Sequence, residues 1–94
     1  MSGSGLVQTV QITNQRGLHA RASAKFVNIV ATLPESLQVT VCKDGTCAAG
    51  GSILGLMMLG AAKGDSIQIG VAGDGAEGAL ATLVELVEGR FGEE

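Results

Sequence analysis

The stretch NQRGLHARASAKFVNIVATLP, residues 14–34, contains a turn, the start of a helix and its end. Its opening NQRG is typical of a turn. From Ala20 to about Leu33 the apolar residues recur at helical spacing and fall on one face: Ala22, Phe26, Val30 and Leu33. Pro34 then disfavours helical geometry in the residue before it. The stretch therefore predicts a turn followed by an amphipathic helix that ends by Leu33.

The segments on both sides of this helix alternate between apolar and polar residues, as strands do. Residues 6–13 predict a first strand with Val10 and Ile12 inward, and residues 37–42 predict a second. Asp44-Gly45 favours a two-residue hairpin turn into a third strand, Thr46–Ala49. A fourth strand is indicated by three apolar residues at alternate positions: Ile67, Ile69 and Val71.

Two further helices complete the pattern. Gly50-Gly51 interrupts the chain, Ser52 is typical of an N-cap, and residues 53–59 predict a short apolar helix with Gly60 past its end. Asp74 and Glu77 predict a capping pair for a last helix. Its inward residues are Leu80, Leu83 and Val87, and its outward residues include Glu85 and Glu88. The order β-α-β-β-α-β-α predicts an α+β fold with one antiparallel or mixed sheet and its helices on one side.

The composition is that of one small folded domain. The chain has 94 residues, and 46% of them are hydrophobic, with two Phe and no Trp or Tyr, so the core is aliphatic. This apolar content excludes disorder, and no apolar run reaches the ~18 residues of a membrane span. Residues 1–5 are too short and polar for a secretory signal and are expected to be a flexible lead-in to a domain over residues 6–94. A cytoplasmic location is expected.

Charge is distributed unevenly along the chain. Residues 1–34 contain three basic residues, no acidic residue and the only histidine, whereas residues 35–94 contain three basic and nine acidic residues. Three basic groups without aromatic residues to stack on bases do not favour a nucleic-acid partner. We expect a small anion or an acidic protein surface as the partner of the basic segment.

The chemistry-bearing segment is Gly17–Arg21. Its position between a turn and a helix places His19 at or next to the N-cap, where the backbone N–H groups of Ala20, Arg21 and Ala22 favour an anion. Imidazole is a competent nucleophile toward phosphorus near neutral pH, and Arg21 has a donor fork suited to phosphate oxygens. A lone histidine before a helix is, however, usually a capping or surface residue. The residues alone leave both interpretations open.

Two motifs resemble one known family. GLHARASAKFV, residues 17–27, and GGSILGLMMLGAAKGD, residues 50–65, resemble the HPr family of phosphocarrier proteins of the phosphoenolpyruvate-dependent phosphotransferase system. The resemblance extends from Val7 to about Phe91. The tail GRFGEE and the GLHARAS variant resemble the nitrogen-related NPr branch. The resemblance implies an HPr-like open-faced sandwich, a four-stranded antiparallel sheet covered on one face by three helices.

The resemblance also implies roles for residues of the histidine segment. His19 matches the histidine that enzyme I phosphorylates on Nδ1, Arg21 matches the arginine that supports the phosphoryl group, and the amides of Ala20 and Arg21 match the helix-end donors. The implied function is a stoichiometric carrier, not an enzyme, without cofactor or metal. Its implied partners are enzyme I and acceptor IIA proteins, with no nucleic acid and no membrane, and the carrier is expected to be monomeric.

The second motif has a structural and a functional interpretation. Ser52 needs only its N-cap role, while the resemblance adds regulatory phosphorylation by a Ser kinase/phosphorylase. Ile53, Leu54, Met57 and Met58 are too many apolar residues for one face of a two-turn helix, so some must be exposed. The resemblance implies that Ile53, Leu54 and Met57 dock partners. A second hypothesis is an interaction domain that regulates partners through this surface, with phosphorylation only switching its state.

Two features depart from a simple carrier. Many family members have proline where this chain has Ala22, and alanine restores an N–H and loosens the first turn. Cys42 and Cys47 are predicted to lie opposite each other on the outer face of the hairpin. Their spacing is not C-x-x-C, so metal binding is disfavoured, and two free thiols are expected in a reducing compartment, with a bridge accessible under mild oxidation.

Overall fold

The computed structural model describes residues 5–93. Four strands and three helices follow one another as β1 (Gly5–Gln11), α1 (Ala20–Ala31), β2 (Gln38–Lys43), β3 (Thr46–Ala49), α2 (Ile53–Met58), β4 (Ser66–Ala72) and α3 (Ala76–Glu88). A short turn with positive φ values, Arg90–Gly92, comes after α3. The predicted order β-α-β-β-α-β-α is confirmed.

The strands form one antiparallel sheet in the order β1-β4-β2-β3. The fully buried strand residues all lie on one face of it: Val10, Val39, Val41, Ile67, Ile69 and Val71. Thr9, Thr40 and Gln68 belong to the opposite face, because side chains alternate along a strand. The helices cover the apolar face and leave the other one open, so the predicted open-faced sandwich is confirmed.

The helices bury most of the residues that their spacing indicates, but α1 ends at Ala31, so Leu33 packs against the core from beyond the helix. In α1, Ala22 and Phe26 are fully buried, while Val30 packs against the core from its edge. Helix α3 buries Leu80, Leu83 and Val87 and exposes its glutamates. The core is therefore an aliphatic layer between sheet and helices, with two buried aromatic rings, Phe26 and Phe91.

The predicted cap of the last helix is wrong. Asp74 and Glu77 do not form a capping pair, since the N-cap of α3 is Gly75 and no side chain caps it. Gly73 and Gly75 both have positive φ values, 121° and 87°, which only glycine adopts readily. This glycine turn moves the helix start one residue beyond Asp74. The Ala76 N–H donates to the Gly73 carbonyl at 3.2 Å instead.

The ends of the chain differ in how far they can be described. The expected lead-in, residues 1–5, lies outside the described residues except for Gly5, which already belongs to β1. At the other end Phe91 is buried and Glu93 is the last described residue. Among the described residues, no helix is long and apolar enough to cross a membrane.

Candidate functional site

His19 is held at the N-terminus of α1 by the turn before it. Gly17 has a φ of 62° and lies so close to the Ala61 backbone that any side chain there would clash. Leu18 donates its N–H to the Ala61 carbonyl at 2.9 Å, which fixes the turn against the segment between α2 and β4. His19 is the N-cap of α1, with extended backbone, and its carbonyl accepts the Ser23 N–H at 2.9 Å. The predicted position of the histidine at the helix start is confirmed.

Both ring nitrogens of His19 have a partner. Nδ1 accepts the backbone N–H of Arg21 at 3.2 Å, so it has a lone pair. Nε2 lies 3.1 and 3.2 Å from the two carboxylate oxygens of Glu93, so it has the proton that this acceptor needs. These contacts favour the tautomer with the proton on Nε2 and the lone pair on Nδ1. The ring is 21% exposed, and Nδ1 lies at the helix end.

Glu93 reaches His19 because the C-terminal turn is anchored. The Phe91 ring is buried, and the Lys25 ammonium donates to the Phe91 carbonyl at 2.6 Å. The buried Asn14 amide donates to Glu93 Oε1 at 3.2 Å and to the Gly17 carbonyl at 2.9 Å. The tail and the turn before α1 are thus joined through one side chain, with the histidine between them.

Sequence reasoning missed Glu93 and Asn14 as site residues. The sequence indicates only that Asn14 belongs to a turn. Glu93 is separated from His19 by more than 70 positions along the chain. Residues 1–34 contain no acidic residue, but the fold brings Glu93 into contact with His19 in this segment. The Lys25 ammonium donates to the tail, and its positive charge acts on the Glu93 carboxylate. The only available signal was Phe91, an isolated aromatic residue in a polar tail.

The charge of Glu93 is stabilised by the site. The hydrogen bond from His19 lowers the pKa of Glu93 below its usual 4.5, assisted by the Asn14 amide and the positive charge of Lys25, while burial opposes the shift. A carboxylate with a lowered pKa in the folded state stabilises the fold above its ordinary pKa. We therefore expect the Glu93 contribution to stability to be complete above pH 4.5 and to be lost as the pH falls below it.

The other residues of the expected site lie around this centre. The Arg21 side chain is exposed on the first turn of α1, and the N–H groups of this turn have no acceptor within the helix. Ala22 is fully buried there. A ring nitrogen with a lone pair, the N–H groups of the first turn and a guanidinium at one helix end can together accept and stabilise a phosphoryl group.

Ser52 and the apolar residues after it form a second feature. Ser52 is the N-cap of α2, and its hydroxyl accepts the Gly55 N–H at 2.9 Å. Only Leu56 of this helix is fully buried. Four large apolar side chains are exposed: Ile53 at 40%, Leu54 at 67%, Met57 at 39% and Met58 at 76%. We call these four residues the α2 patch, and a group of adjacent exposed apolar side chains is typical of a protein-binding surface.

The two cysteines are bonded to each other. Cys42 and Cys47 pair directly across the β2–β3 hairpin, as the turn prediction requires, and their sulfurs form a disulfide. The expectation of two free thiols is therefore wrong for this structure, which has the oxidised pair. The physical reason is the register, which places the two side chains on the same face of adjacent strands.

The comparisons with known proteins agree with this geometry. The family model for the phosphorylation site of the PTS HPr component matches residues 6–89. The chain therefore belongs to the HPr family, whose members are non-catalytic phosphocarriers of the phosphotransferase system. The resemblance seen in the two sequence motifs is confirmed.

Several relatives span almost the whole chain. The phosphocarrier protein HPr of Neisseria meningitidis is 42% identical, covering 94% of this chain and 97% of the relative. The phosphocarrier protein NPr of Escherichia coli is 36% identical, covering 93% and 96%. Among solved structures, an HPr from Thermoanaerobacter tengcongensis has a TM-score of 0.87 at 39% identity, covering 95% of this chain and 98% of the other.

Proposed function

We propose that this protein accepts a phosphoryl group from phosphorylated enzyme I on Nδ1 of His19 and passes it to a IIA-type acceptor protein. The observation that supports this most is the pair of contacts on the His19 ring. The Glu93 carboxylate accepts a hydrogen bond from Nε2, so Nδ1 keeps its lone pair at the N-terminus of α1. The family membership supplies the phosphotransferase system as the setting.

The transfer step follows from these contacts. The Nδ1 lone pair forms a bond to phosphorus while the bond from phosphorus to the donor breaks. The Arg21 N–H, which now donates to Nδ1 at 3.2 Å, becomes free to donate to a phosphoryl oxygen. The ring gains positive charge as the bond forms, and the Glu93 carboxylate at Nε2 stabilises that charge. The Arg21 guanidinium neutralises the phosphoryl oxygens.

Partner docking is assigned to the α2 patch. Helices α1 and α2 pack against each other, and the N–H of Leu18, next to His19, donates to the Ala61 carbonyl shortly after α2, so the end of α2 lies near His19. Apolar docking beside a charged transfer site gives affinity without occupying the nucleophile. The same surface serves donor and acceptor in turn, and the protein acts as a monomeric cytoplasmic carrier.

A relay assay tests this function. The protein is incubated with enzyme I and labelled phosphoenolpyruvate, freed from both, and then mixed with a IIA protein. We expect the label to move to the IIA protein with an equal loss from the carrier. A carrier that takes up label but delivers none to any IIA protein of the same organism would support the alternative role as a regulatory interaction domain.

Replacing Glu93 should slow transfer without unfolding the protein. In Glu93→Gln the developing positive charge of the ring loses its carboxylate, and a charged hydrogen bond of this kind contributes about 1.5–3 kcal/mol, so we expect phosphorylation to be slower by about 10- to 150-fold. The effect should fall on kcat, since the α2 patch is unchanged. Rapid-quench kinetics measure it. Glu88→Gln, at an exposed position of α3, is the charge-matched control and should react at the wild-type rate.

A negative charge at Ser52 should weaken docking but not folding. Aspartate is itself a good N-cap and its charge suits a helix N-terminus, so Ser52→Asp should keep the melting temperature. A hydrated carboxylate beside Ile53 and Leu54 raises the cost of desolvating the α2 patch, and we expect a raised KM for enzyme I. Ser52→Asn is the neutral capping control. Equal KM values for the two variants would show that partners do not dock at the start of α2.

A further inference from the structure

The hairpin β2–β3 is cross-linked at the edge of the sheet. Strand β3 pairs only with β2, and its four residues form the whole pairing, from Thr46 opposite Lys43 to Ala49 opposite Thr40. The Cys42–Cys47 disulfide is the covalent tie between these two strands besides the turn itself. A four-residue edge strand has few contacts of its own, so the disulfide should lower the frequency with which β3 separates from β2.

The end of β3 positions the start of α2. The Ala49 carbonyl accepts the Ser52 N–H at 3.1 Å, and the Ser52 hydroxyl in turn caps the Gly55 N–H at 2.9 Å. The Ala48 side chain faces Gly55 so closely that an added methyl group on the glycine would lie 3.2 Å from it. These contacts hold the first turn of α2, with Ile53 and Leu54, in a fixed position relative to β3.

One cysteine of the pair is the more exposed to solvent. Cys47 is exposed on the edge strand, whereas Cys42 is half-buried and has β4 as its other neighbour. The open face around them is uncharged, since its neighbouring residues are Gln38, Thr40, Ala49 and Gln68. The nearest charged groups, Lys43 and Asp44, form an ion pair at the turn. A thiolate can therefore approach Cys47 from the free side of β3 with little net charge repulsion.

We propose that Cys42 and Cys47 form a thiol–disulfide exchange site for dithiol reductants, and that their oxidation state sets how firmly the start of α2 is held. A thiolate of the dithiol attacks the Cys47 sulfur, the Cys42–Cys47 bond breaks, and Cys42 leaves as a thiolate. The second thiol of the reductant then attacks the mixed disulfide and releases Cys47. Two electrons and two protons pass to the protein, and the reductant becomes a disulfide.

Reduction should loosen β3 and the first turn of α2 while leaving the His19 site intact. The His19 contacts involve α1, the turn before it and the C-terminal turn, and none of them uses the hairpin. The consequence for docking rests on the proposed function, because it requires the α2 patch to bind enzyme I. The loosening of β3 and of the first turn of α2 does not depend on the proposed function.

Amide hydrogen exchange tests the local effect. The oxidised protein, the protein reduced with excess dithiothreitol, and the Cys42→Ser/Cys47→Ser variant are compared. We expect exchange at Ser52 and Gly55 to be about tenfold faster in the last two than in the oxidised protein, and exchange at Ser23 in α1 to be equal in all three. Equal rates at Ser52 and Gly55, or a disulfide that resists dithiothreitol without denaturant, would overturn the proposal.

Transfer kinetics test the docking effect separately. Reduction should raise the KM for enzyme I and leave kcat unchanged, and the double serine variant should not respond to dithiothreitol. An unchanged KM together with faster exchange at Ser52 would overturn the link to docking. If the protein took no phosphoryl group at all, the exchange result would still decide the redox site, so the two failures are distinguishable.

Discussion

His19→Asn should take up no phosphoryl group from enzyme I and phosphoenolpyruvate, while the wild-type protein takes up one. Asparagine is a favourable N-cap, so the first turn of α1 keeps its side-chain acceptor, and its amide nitrogen has no lone pair for phosphorus. The loss should therefore be complete without loss of the fold. Radiolabel uptake and the melting temperature are measured on the same preparation.

The matched variant is His19→Ala, which removes the nucleophile and the cap together. It should also take up no label, but its melting temperature should be lower, because losing an N-cap side chain costs about 1 kcal/mol. Label retained in either variant would place the phosphoryl group on another residue. A melting temperature of His19→Asn as low as that of His19→Ala would mean that the ring does not cap α1.

Phe91→Ala should have the largest effect on stability. The ring is 1% exposed, and removing a buried phenyl group costs about 3–5 kcal/mol. For a domain of this size the melting temperature should fall by about 12 °C or more. Arg90 and Phe91 also have successive positive φ values of 59° and 54°, a conformation that is unfavourable for non-glycine residues and that the buried ring helps to hold.

The same substitution should release Glu93 from His19. Without the ring, the tail is held only by polar contacts, chiefly those of Lys25 with the Phe91 carbonyl and of Asn14 with Glu93. Nuclear magnetic resonance of the His19 ring protons should show the loss of the Nε2 contact, and transfer should slow as in Glu93→Gln. Phe91→Leu, which retains an apolar side chain, should lose less stability. A Phe91→Ala protein that melts near the wild-type temperature would mean that the tail is not anchored by this ring.

The strands, the first helix and the N-cap of α2 could be predicted from sequence because each depends on local chemistry. Alternation places Ile67 and Ile69 inward, Pro34 limits α1, and Asp44-Gly45 dictates a two-residue turn. The Asp74 cap was wrong because two glycines nearby allowed a left-handed turn that competes with side-chain capping. A local sequence signal predicts the start of a helix reliably only where no competing signal, such as a glycine turn, lies next to it.

Half of the candidate site follows from sequence and half does not. His19 and Arg21 are adjacent to a helix start, so their proximity is local. Glu93 and Asn14 meet His19 only because the chain returns after α3 and turns at Phe91. The tautomer of the His19 ring depends on the contact between Nε2 and Glu93 that this path of the chain creates. The ring nitrogen that we propose as the phosphoryl acceptor is thus set by the tertiary fold, although the motif alone is enough to propose His19.

The most direct measurement is the identification of the phosphorylated atom. The protein, labelled with ¹⁵N in histidine, is phosphorylated by enzyme I and phosphoenolpyruvate, and the ring nitrogens are observed by nuclear magnetic resonance. We predict one phosphoryl group per chain, acid-labile and base-stable, bonded to Nδ1 of His19, with Nε2 still protonated. A phosphoryl group on Nε2, on another residue or on none would contradict the account.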